Sequence, residues 1–175
     1  MIKSLAGGIL AALLILITIG LCLPSTYQIE TTTSIQSSLE ETYTQISTLR
    51  KWKNWAYDDS AAMAILQYEG PESGLGAIYS WHDEHSTGRM EIIEEELNKR
   101  IVSKLISNYG VLESQLAFTF SSDGVNTSIK WIQSGDVGYD FRARFFIWLG
   151  GLENSIGQQN KAALERLKQQ LEENS

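Results

Sequence analysis

The sequence predicts an α+β protein in which a curved antiparallel sheet wraps a long C-terminal helix, preceded by one N-terminal transmembrane helix. Three observations support this fold class. Residues Leu5–Leu23 form an uninterrupted run of apolar or small residues. Over Tyr27–Gln133, short segments with alternating apolar residues are separated by turn signals, a pattern typical of antiparallel strands. Over Arg142–Glu173, apolar residues recur at helical spacing instead.

The apolar run is long enough to cross a bilayer. As a helix, its nineteen residues would rise about 28 Å, close to the ~30 Å thickness of the hydrocarbon core. The residues before Pro24 are Leu-Cys-Leu, a poor match to the small residues of a signal-cleavage site. A lipoprotein site would also need a small residue in place of Leu21. We therefore interpret the run as a retained signal anchor, with cleavage or lipidation of Cys22 as the alternatives.

The anchor divides the chain into two parts and suggests its location. Residues 1–24 are the predicted transmembrane helix, and residues 25–175 are long enough for one domain with its own core. Lys3 precedes the run, which favours a cytoplasmic N-terminus. We expect a single-pass protein of the bacterial cytoplasmic membrane, with the domain facing the periplasm or exterior.

Composition argues against several classes of partner. The formal net charge is −7, whereas binding to nucleic-acid phosphates requires clustered Lys and Arg. We therefore expect no nucleic-acid partner. Cys22 is the only cysteine in the sequence, so no internal disulfide can form. The sequence indicates no cofactor and identifies no protein partner.

The first predicted strand is Tyr27–Ile35, where alternate residues share a face. A helix should follow, because Ser37 or Ser38 can accept a hydrogen bond from its first turn. Apolar residues continue at helical spacing until the pattern fails near Trp52–Trp55.

Six further strands are predicted from alternation and from turn residues such as Gly70–Gly74 and Asp123-Gly124. They are Ala64–Glu69, Leu75–Trp81, Arg89–Glu95, Arg100–Ser107, Glu113–Ser121 and Val125–Gln133.

The final segment, Arg142–Glu173, is predicted to be one long helix or a kinked pair. Gly150-Gly151 and Gly157 interrupt it, and a glycine inside a helix costs up to ~1 kcal/mol relative to alanine. A meander of this length must bury one face, and this helix offers the remaining apolar surface. The sheet should therefore curl around the helix, an arrangement that often leaves a small-molecule pocket between them.

The element order and several local strings resemble the START-like (SRPBCC) superfamily of helix-grip proteins, in particular its membrane-anchored bacterial branch, called polyketide cyclase/dehydrase-like. The most specific string is Gly70–Trp81, GPESGLGAIYSW. The weaker matches are Leu23-Pro24-Ser25, Leu49 with Trp52 and Trp55, Gly88, Thr127 with Trp131, Gly138, and Leu164, Leu167 and Lys168. The resemblance covers Pro24–Leu171. It implies the helix-grip fold and a cavity for a hydrophobic ligand, and it carries over no catalytic signature.

Aromatic side chains are the candidate lining of this cavity, because they are planar and apolar and some carry polar groups that orient a ligand. The candidates are Trp55, Tyr57, Tyr68, Tyr79, Trp81, Phe118, Phe120, Trp131, Phe145 and Trp148. Arg89 shares a strand with Met90 and is a candidate for holding a carboxylate inside the cavity. The alternative for each aromatic residue is a filled core.

Two other clusters are explained by local structure without a functional site. His82–His85 contains two histidines and two carboxylates, as a zinc site does, but it lies in a short polar turn, and we predict no metal site. Arg50–Trp55 interleaves basic and aromatic residues, which a helix end explains. A narrower alternative places Arg50–Trp55 against lipid headgroups.

The sequence thus predicts a membrane-tethered, noncatalytic binding module for a hydrophobic or amphipathic small molecule, lipid- or polyketide-like. One alternative is a cyclase or dehydratase in which tyrosines or Arg89 polarise a substrate carbonyl. Another is a structural or regulatory protein with a filled core. A hydrolase is not indicated, since the sequence contains no G-x-S-x-G elbow.

Overall fold

The computed structural model describes residue 8 and residues 15–57, 65–82, 87–107 and 112–173. The strands are β1 (Thr26–Ile35), β2 (Ile65–Glu69), β3 (Ile78–His82), β4 (Thr87–Glu96), β5 (Arg100–Ser107), β6 (Leu112–Ser122) and β7 (Thr127–Asp136). The helices are α1 (Leu39–Ser47), a 3₁₀ helix (Leu49–Asn54), α2 (Phe141–Trp148) and α3 (Gly151–Glu173).

The seven strands form one antiparallel sheet in the order β1-β7-β6-β5-β4-β3-β2. Strands β2 to β7 are a meander, and β1 pairs with β7 along its whole length, from Thr26 opposite Asp136 to Ile35 opposite Thr127. The predicted α+β class and the predicted order of strands and helices are confirmed.

Helix α1 begins as predicted and ends earlier than predicted. Ser38, one of the two candidate caps, accepts a hydrogen bond from the Glu41 N–H at 3.2 Å. The predicted single helix divides after Ser47 into α1 and the 3₁₀ helix. The Nε1–H groups of Trp52 and Trp55 then donate to the Ile46 and Gln45 carbonyls, which satisfies acceptors in the last turn of α1.

The third strand starts later than the sequence predicts, at Ile78 and not at Leu75. Gly74 and Gly76 have φ angles of +76° and +83°, a left-handed conformation that glycine adopts without strain. They keep this stretch in a turn, where the Leu75 N–H donates to the Glu95 carboxylate at 2.8 Å.

The last strand also starts later, at Thr127 and not at Val125. The Asp123 carboxylate accepts hydrogen bonds from the Val125 and Asn126 N–H groups at 2.9 and 2.7 Å. These backbone hydrogen bonds extend the turn and lower the pKa of the Asp123 carboxyl.

The C-terminal segment was predicted to be either one long helix or a kinked pair of helices. The structure has the kinked pair. Asp140 caps α2 by accepting hydrogen bonds from the Arg142 and Ala143 N–H groups. Gly150, at φ +70°, separates α2 from α3, and its N–H donates to the Ile147 carbonyl. A left-handed glycine of this kind commonly ends a helix.

The core lies on one face of the sheet, between the strands and the helices. In β7, the side chains of Thr127, Ile129, Trp131 and Gln133 are buried, and those between them are more exposed. From the other side, α3 contributes four buried apolar residues: Ala163, Leu164, Leu167 and Leu171. One-sided burial of this kind is usual for an antiparallel sheet.

Most of the predicted anchor, Leu5–Leu23, lies outside the described residues. Residues 15–22 are helical. Among the described residues, no helix combines the length and the apolar character needed to span a membrane.

Candidate functional site

The helices cover the inner face of the sheet unevenly. Helix α3 packs chiefly along β1, at one edge of the sheet. Towards the other edge, inward-facing side chains are only partly buried although they contact the core. They are Leu66, Tyr68, Trp81 and Leu105. We call the inner face of β2 to β5 around these residues the groove.

Four aromatic residues, Tyr57, Tyr68, Tyr79 and Trp81, form a continuous panel in the groove, which we call the aromatic panel. Tyr79 and Trp81 are two residues apart on β3, so both point inward, and their stacked rings have centroids 5.7 Å apart. Tyr68 is opposite Tyr79 in the register of β2 and β3, with ring centroids 5.4 Å apart. Tyr57 follows the 3₁₀ helix and places its ring 5.9 Å from that of Tyr79.

The three tyrosines of the panel are neutral at physiological pH. Burial raises the pKa of the Tyr57 hydroxyl well above its usual value, and the neighbouring Tyr79 raises it further. Burial also raises the pKa of Tyr79, although a hydrogen bond shared with Tyr57 opposes the shift. These phenols can therefore donate hydrogen bonds to a ligand oxygen, but they cannot serve as general bases near neutral pH.

Arg50 lies at the rim of the groove, above the aromatic panel. Its guanidinium carbon is 4.3 Å from the centroid of the Tyr68 ring, a cation–π arrangement. Burial raises the pKa of Tyr68, and the charge of Arg50 opposes this shift. The sequence predicts a helix end or a headgroup contact for Arg50, and not its contact with Tyr68, because these two residues are distant in the chain.

On the inner face of the sheet, two buried polar groups have no hydrogen-bond partner within the part of the chain that the structure describes. They are the Ser103 hydroxyl on β5 and the Trp131 Nε1–H on β7. An unpaired buried polar group costs about 1–3 kcal/mol, so such groups often mark a place for water or a ligand. Alternation with Ile101 and Leu105 indicates that Ser103 faces inward, but it does not indicate that the Ser103 hydroxyl lacks a partner.

Two hydrogen-bonded pairs of polar side chains also lie on the core side of the sheet. The Asn160 side-chain amide on α3 donates to the Gln133 Oε1 on β7 at 3.2 Å, and both residues are buried. The Tyr27 and Ser114 hydroxyl groups lie 2.6 Å apart. A small apolar cluster around Tyr27, Ile29 and Ile147 is distinct from the main core.

Four of the predicted lining residues lie in the closed part of the core. Trp55, Phe118, Phe120 and Trp131 are all buried. The rings of Phe118 and Trp131 are 4.9 Å apart and pack with the Trp52 ring. In this region the aromatic side chains form a filled core, which was the alternative interpretation of these residues.

Arg89 points away from the groove, contrary to the predicted inward orientation. Because residues alternate along a strand, Met90 occupies the inner face, where it is 2% exposed. The Arg89 guanidinium forms ion pairs with Glu69 and Glu91 at 3.6 and 3.5 Å. It borders a recess of about 470 Å³ on the outer face of the sheet.

Phe145 and Trp148 also lie outside the groove. Both are on α2, and their side chains are exposed, whereas Ile147 is the residue that α2 buries. The break at Gly150 explains the difference, because it ends the predicted apolar stripe that would have aligned Phe145 with α3.

No group of three or more potential metal ligands occurs among the described residues. His82 ends β3 with an exposed side chain, and the other three residues of the predicted turn cluster lie outside the described residues.

The sequence matches no protein-family model and no curated protein. Its structure is similar to that of DynU16, a putative protein in the dynemicin biosynthetic locus, with a TM-score of 0.59 and 15% identity. This match covers 83% of the present chain and 47% of DynU16, so the chain spans about half the length of that protein.

Two other similar structures are matched over nearly their whole length. The Aha1 dimer from Colwellia psychrerythraea has a TM-score of 0.57 and 16% identity, with 83% of this chain and 96% of that chain covered. Protein MLL2253 from Mesorhizobium loti has a TM-score of 0.59 and 16% identity, with coverages of 85% and 99%. At these identities the likeness concerns the fold alone. The shared fold is an antiparallel sheet packed on a long C-terminal helix, which fits the predicted helix-grip architecture.

Proposed function

We propose that this chain is a membrane-tethered protein of the START-like membrane-anchored branch, which binds a hydrophobic or amphipathic small molecule in the groove. The ligand is lipid- or polyketide-like. One observation carries the proposal: the aromatic panel faces the core side of the sheet, yet Tyr68 and Trp81 remain partly exposed. Concave apolar surfaces with a few polar groups are typical of small-molecule sites.

The polar groups around the groove favour binding over catalysis. The tyrosine hydroxyls and the Ser103 hydroxyl can orient a carbonyl or hydroxyl of the ligand. A cyclase or dehydratase would need a proton acceptor in the groove, and the raised pKa values of Tyr57 and Tyr79 do not supply one. The enzyme remains the second candidate, because neutral phenols can still polarise a carbonyl.

The tether is proposed from the apolar run Leu5–Leu23. The connection from residues 15–22 to the domain is short, and Arg144 Nη1 donates hydrogen bonds to the Leu21 and Leu23 carbonyls at 2.7 and 3.2 Å. A domain held this close to a bilayer would face a high local concentration of amphipathic ligands.

Native mass spectrometry of the full chain, extracted from its host membrane, tests the proposal with two matched variants. Leu105→Trp adds bulk to the groove, and Ile106→Trp adds the same bulk on the outer face of the same strand. We expect a small amphiphile to copurify with the wild type and with Ile106→Trp, and to be lost from Leu105→Trp. A ligand retained equally by both variants, or absent from all three proteins, would contradict binding in the groove.

A further inference from the structure

Helix α2 exposes apolar side chains on most of its surface. Its sequence, FRARFFIW, contains two arginines and no acidic residue. Ile147 is 6% exposed and packs in the small cluster with Tyr27 and Ile29, which attaches α2 to the domain. The other large apolar residues are about half exposed. They are Phe141, Phe145, Phe146 and Trp148, and we call them the α2 aromatic face.

The α2 aromatic face is adjacent to the end of the N-terminal apolar segment. Gly20 is buried against Phe141, whose Cβ would lie 3.1 Å from a Cβ added to Gly20. Arg144 fastens the two segments together, because it donates to the Leu21 and Leu23 carbonyls and, through Nε, to the Gly138 carbonyl. The segment itself exposes five large apolar side chains, those of Ile15, Leu16, Ile17, Ile19 and Leu21.

The position and the composition of this surface both match a bilayer interface. The apolar run ends at Leu23, so a span built from it would leave the hydrocarbon at the level of α2. Trp148 and Tyr139, which are 58% and 86% exposed, belong to the residue types enriched at the headgroup level. Arg142 extends beside Phe141, and arginine with exposed aromatic residues is typical of helices that lie in the interface.

We propose that the α2 aromatic face inserts into the headgroup region of a phospholipid bilayer and forms a second membrane contact beside the N-terminal helix. This inference rests on the tether of the proposed function. A single helical span can still tilt and turn in the bilayer together with the attached domain, whereas two contacts fix one orientation of the domain relative to the membrane.

Nitroxide accessibility in the full chain tests this contact. Cys22, the only native cysteine, is replaced by Ser, and a spin label is attached at Phe145→Cys. The protein is incorporated into nanodiscs of phosphatidylethanolamine and phosphatidylglycerol. We expect oxygen to relax the label strongly and an aqueous nickel chelate to relax it weakly. The matched control is Lys161→Cys, an exposed position on α3, where the ratio of the two effects should be reversed.

Three results would overturn the inference. Strong relaxation by nickel at Phe145→Cys would place α2 in water, and strong dipolar broadening between labels would show that a second copy covers it. In either case the tether and the groove would stand. A chain that does not enter nanodiscs would overturn the tether as well. Phe146→Cys repeats the measurement, so that poor folding of one variant does not decide the result.

Discussion

Two inward-facing glycines make room for aromatic rings from a neighbouring strand. A Cβ added to Gly88 would lie 2.2 Å from Cζ2 of Trp81, the residue opposite it in the register of β3 and β4. A Cβ added to Gly135 would lie 2.6 Å from the Tyr27 hydroxyl. At both places the missing side chain lets an aromatic ring lie flat across the next strand. Gly88 thereby fixes one end of the aromatic panel.

Gly88→Ala should disturb this arrangement directly. The new methyl group would meet the Trp81 ring and, at 2.8 Å, the Ile106 carbonyl oxygen. Overpacking of this kind costs about 1–3 kcal/mol. We expect the free energy of unfolding in urea to fall by that amount and the near-ultraviolet circular dichroism to change. Ser121→Ala, an exposed position, should change stability by less than about 0.5 kcal/mol. Equal stability of Gly88→Ala and the wild type would contradict the packing described for Trp81.

Stability should fall at alkaline pH because of the buried tyrosines. The pKa of Tyr57 is raised in the folded state, mainly by burial, whereas tyrosine in an unfolded chain titrates near pH ~10. Below that pH both states keep the proton and the contribution is intact. Above it the unfolded state releases the proton first, so the free energy of unfolding decreases by up to about 1.4 kcal/mol per pH unit for this residue.

The Tyr57 contribution can be isolated by substitution. Denaturation curves from about pH 8 to 11 should show a shallower decline for Tyr57→Phe than for the wild type. Tyr139→Phe is the control, because this tyrosine is 86% exposed and its loss should leave the slope unchanged. An unchanged slope for Tyr57→Phe would mean that its hydroxyl is not buried as described.

For individual residues, the sequence predicts which face of the sheet a side chain occupies better than it predicts the role of that side chain. Tyr68, Tyr79 and Trp81 face inward together, and their role as lining residues stays a prediction. Arg89 was predicted inward beside Met90, but adjacent residues on a strand cannot share a face. Ser103 was missed because a small polar residue gives little signal until its neighbours in space are known.

Among the elements, the turns were harder to predict than the strands. The conformations of Gly74, Gly76 and Gly150 decide where β3 starts and where α2 ends. A glycine in the sequence indicates that the backbone can turn, but not which way. The start of β7 is later than predicted because the Asp123 carboxylate accepts hydrogen bonds from two backbone N–H groups. An Asp-Gly pair in the sequence predicts a turn but does not specify these hydrogen bonds.

Gly157 offers a stabilising substitution within α3. It lies in the helix interior, and a Cβ added there would make an ordinary contact of 3.6 Å with Cγ2 of Ile29. Gly157→Ala should therefore raise the free energy of unfolding by about 0.5–1 kcal/mol, through higher helix propensity. Thermal denaturation followed by far-ultraviolet circular dichroism would measure the change. A loss of stability would show that α3 approaches β1 more closely than described.

For the whole molecule, the sequence predicts the architecture but not the position of the groove. A long meander with one apolar face and a C-terminal amphipathic helix specify a helix grip. Where the helix leaves the sheet uncovered depends on its path along β1, which no local pattern encodes. The exposed aromatic face of α2 likewise follows from the break at Gly150 and not from the apolar periodicity.

Site-specific photocrosslinking in the host membrane tests the central claim most directly. A photoreactive phenylalanine analogue replaces Tyr68, in the groove, or the adjacent Gln67, on the outer face of the same strand. After irradiation, the intact mass of the full chain is measured. We predict a small-molecule adduct of defined mass at position 68 and none at position 67. Adducts at position 67 alone, or equal adducts at both positions, would contradict a ligand held in the groove.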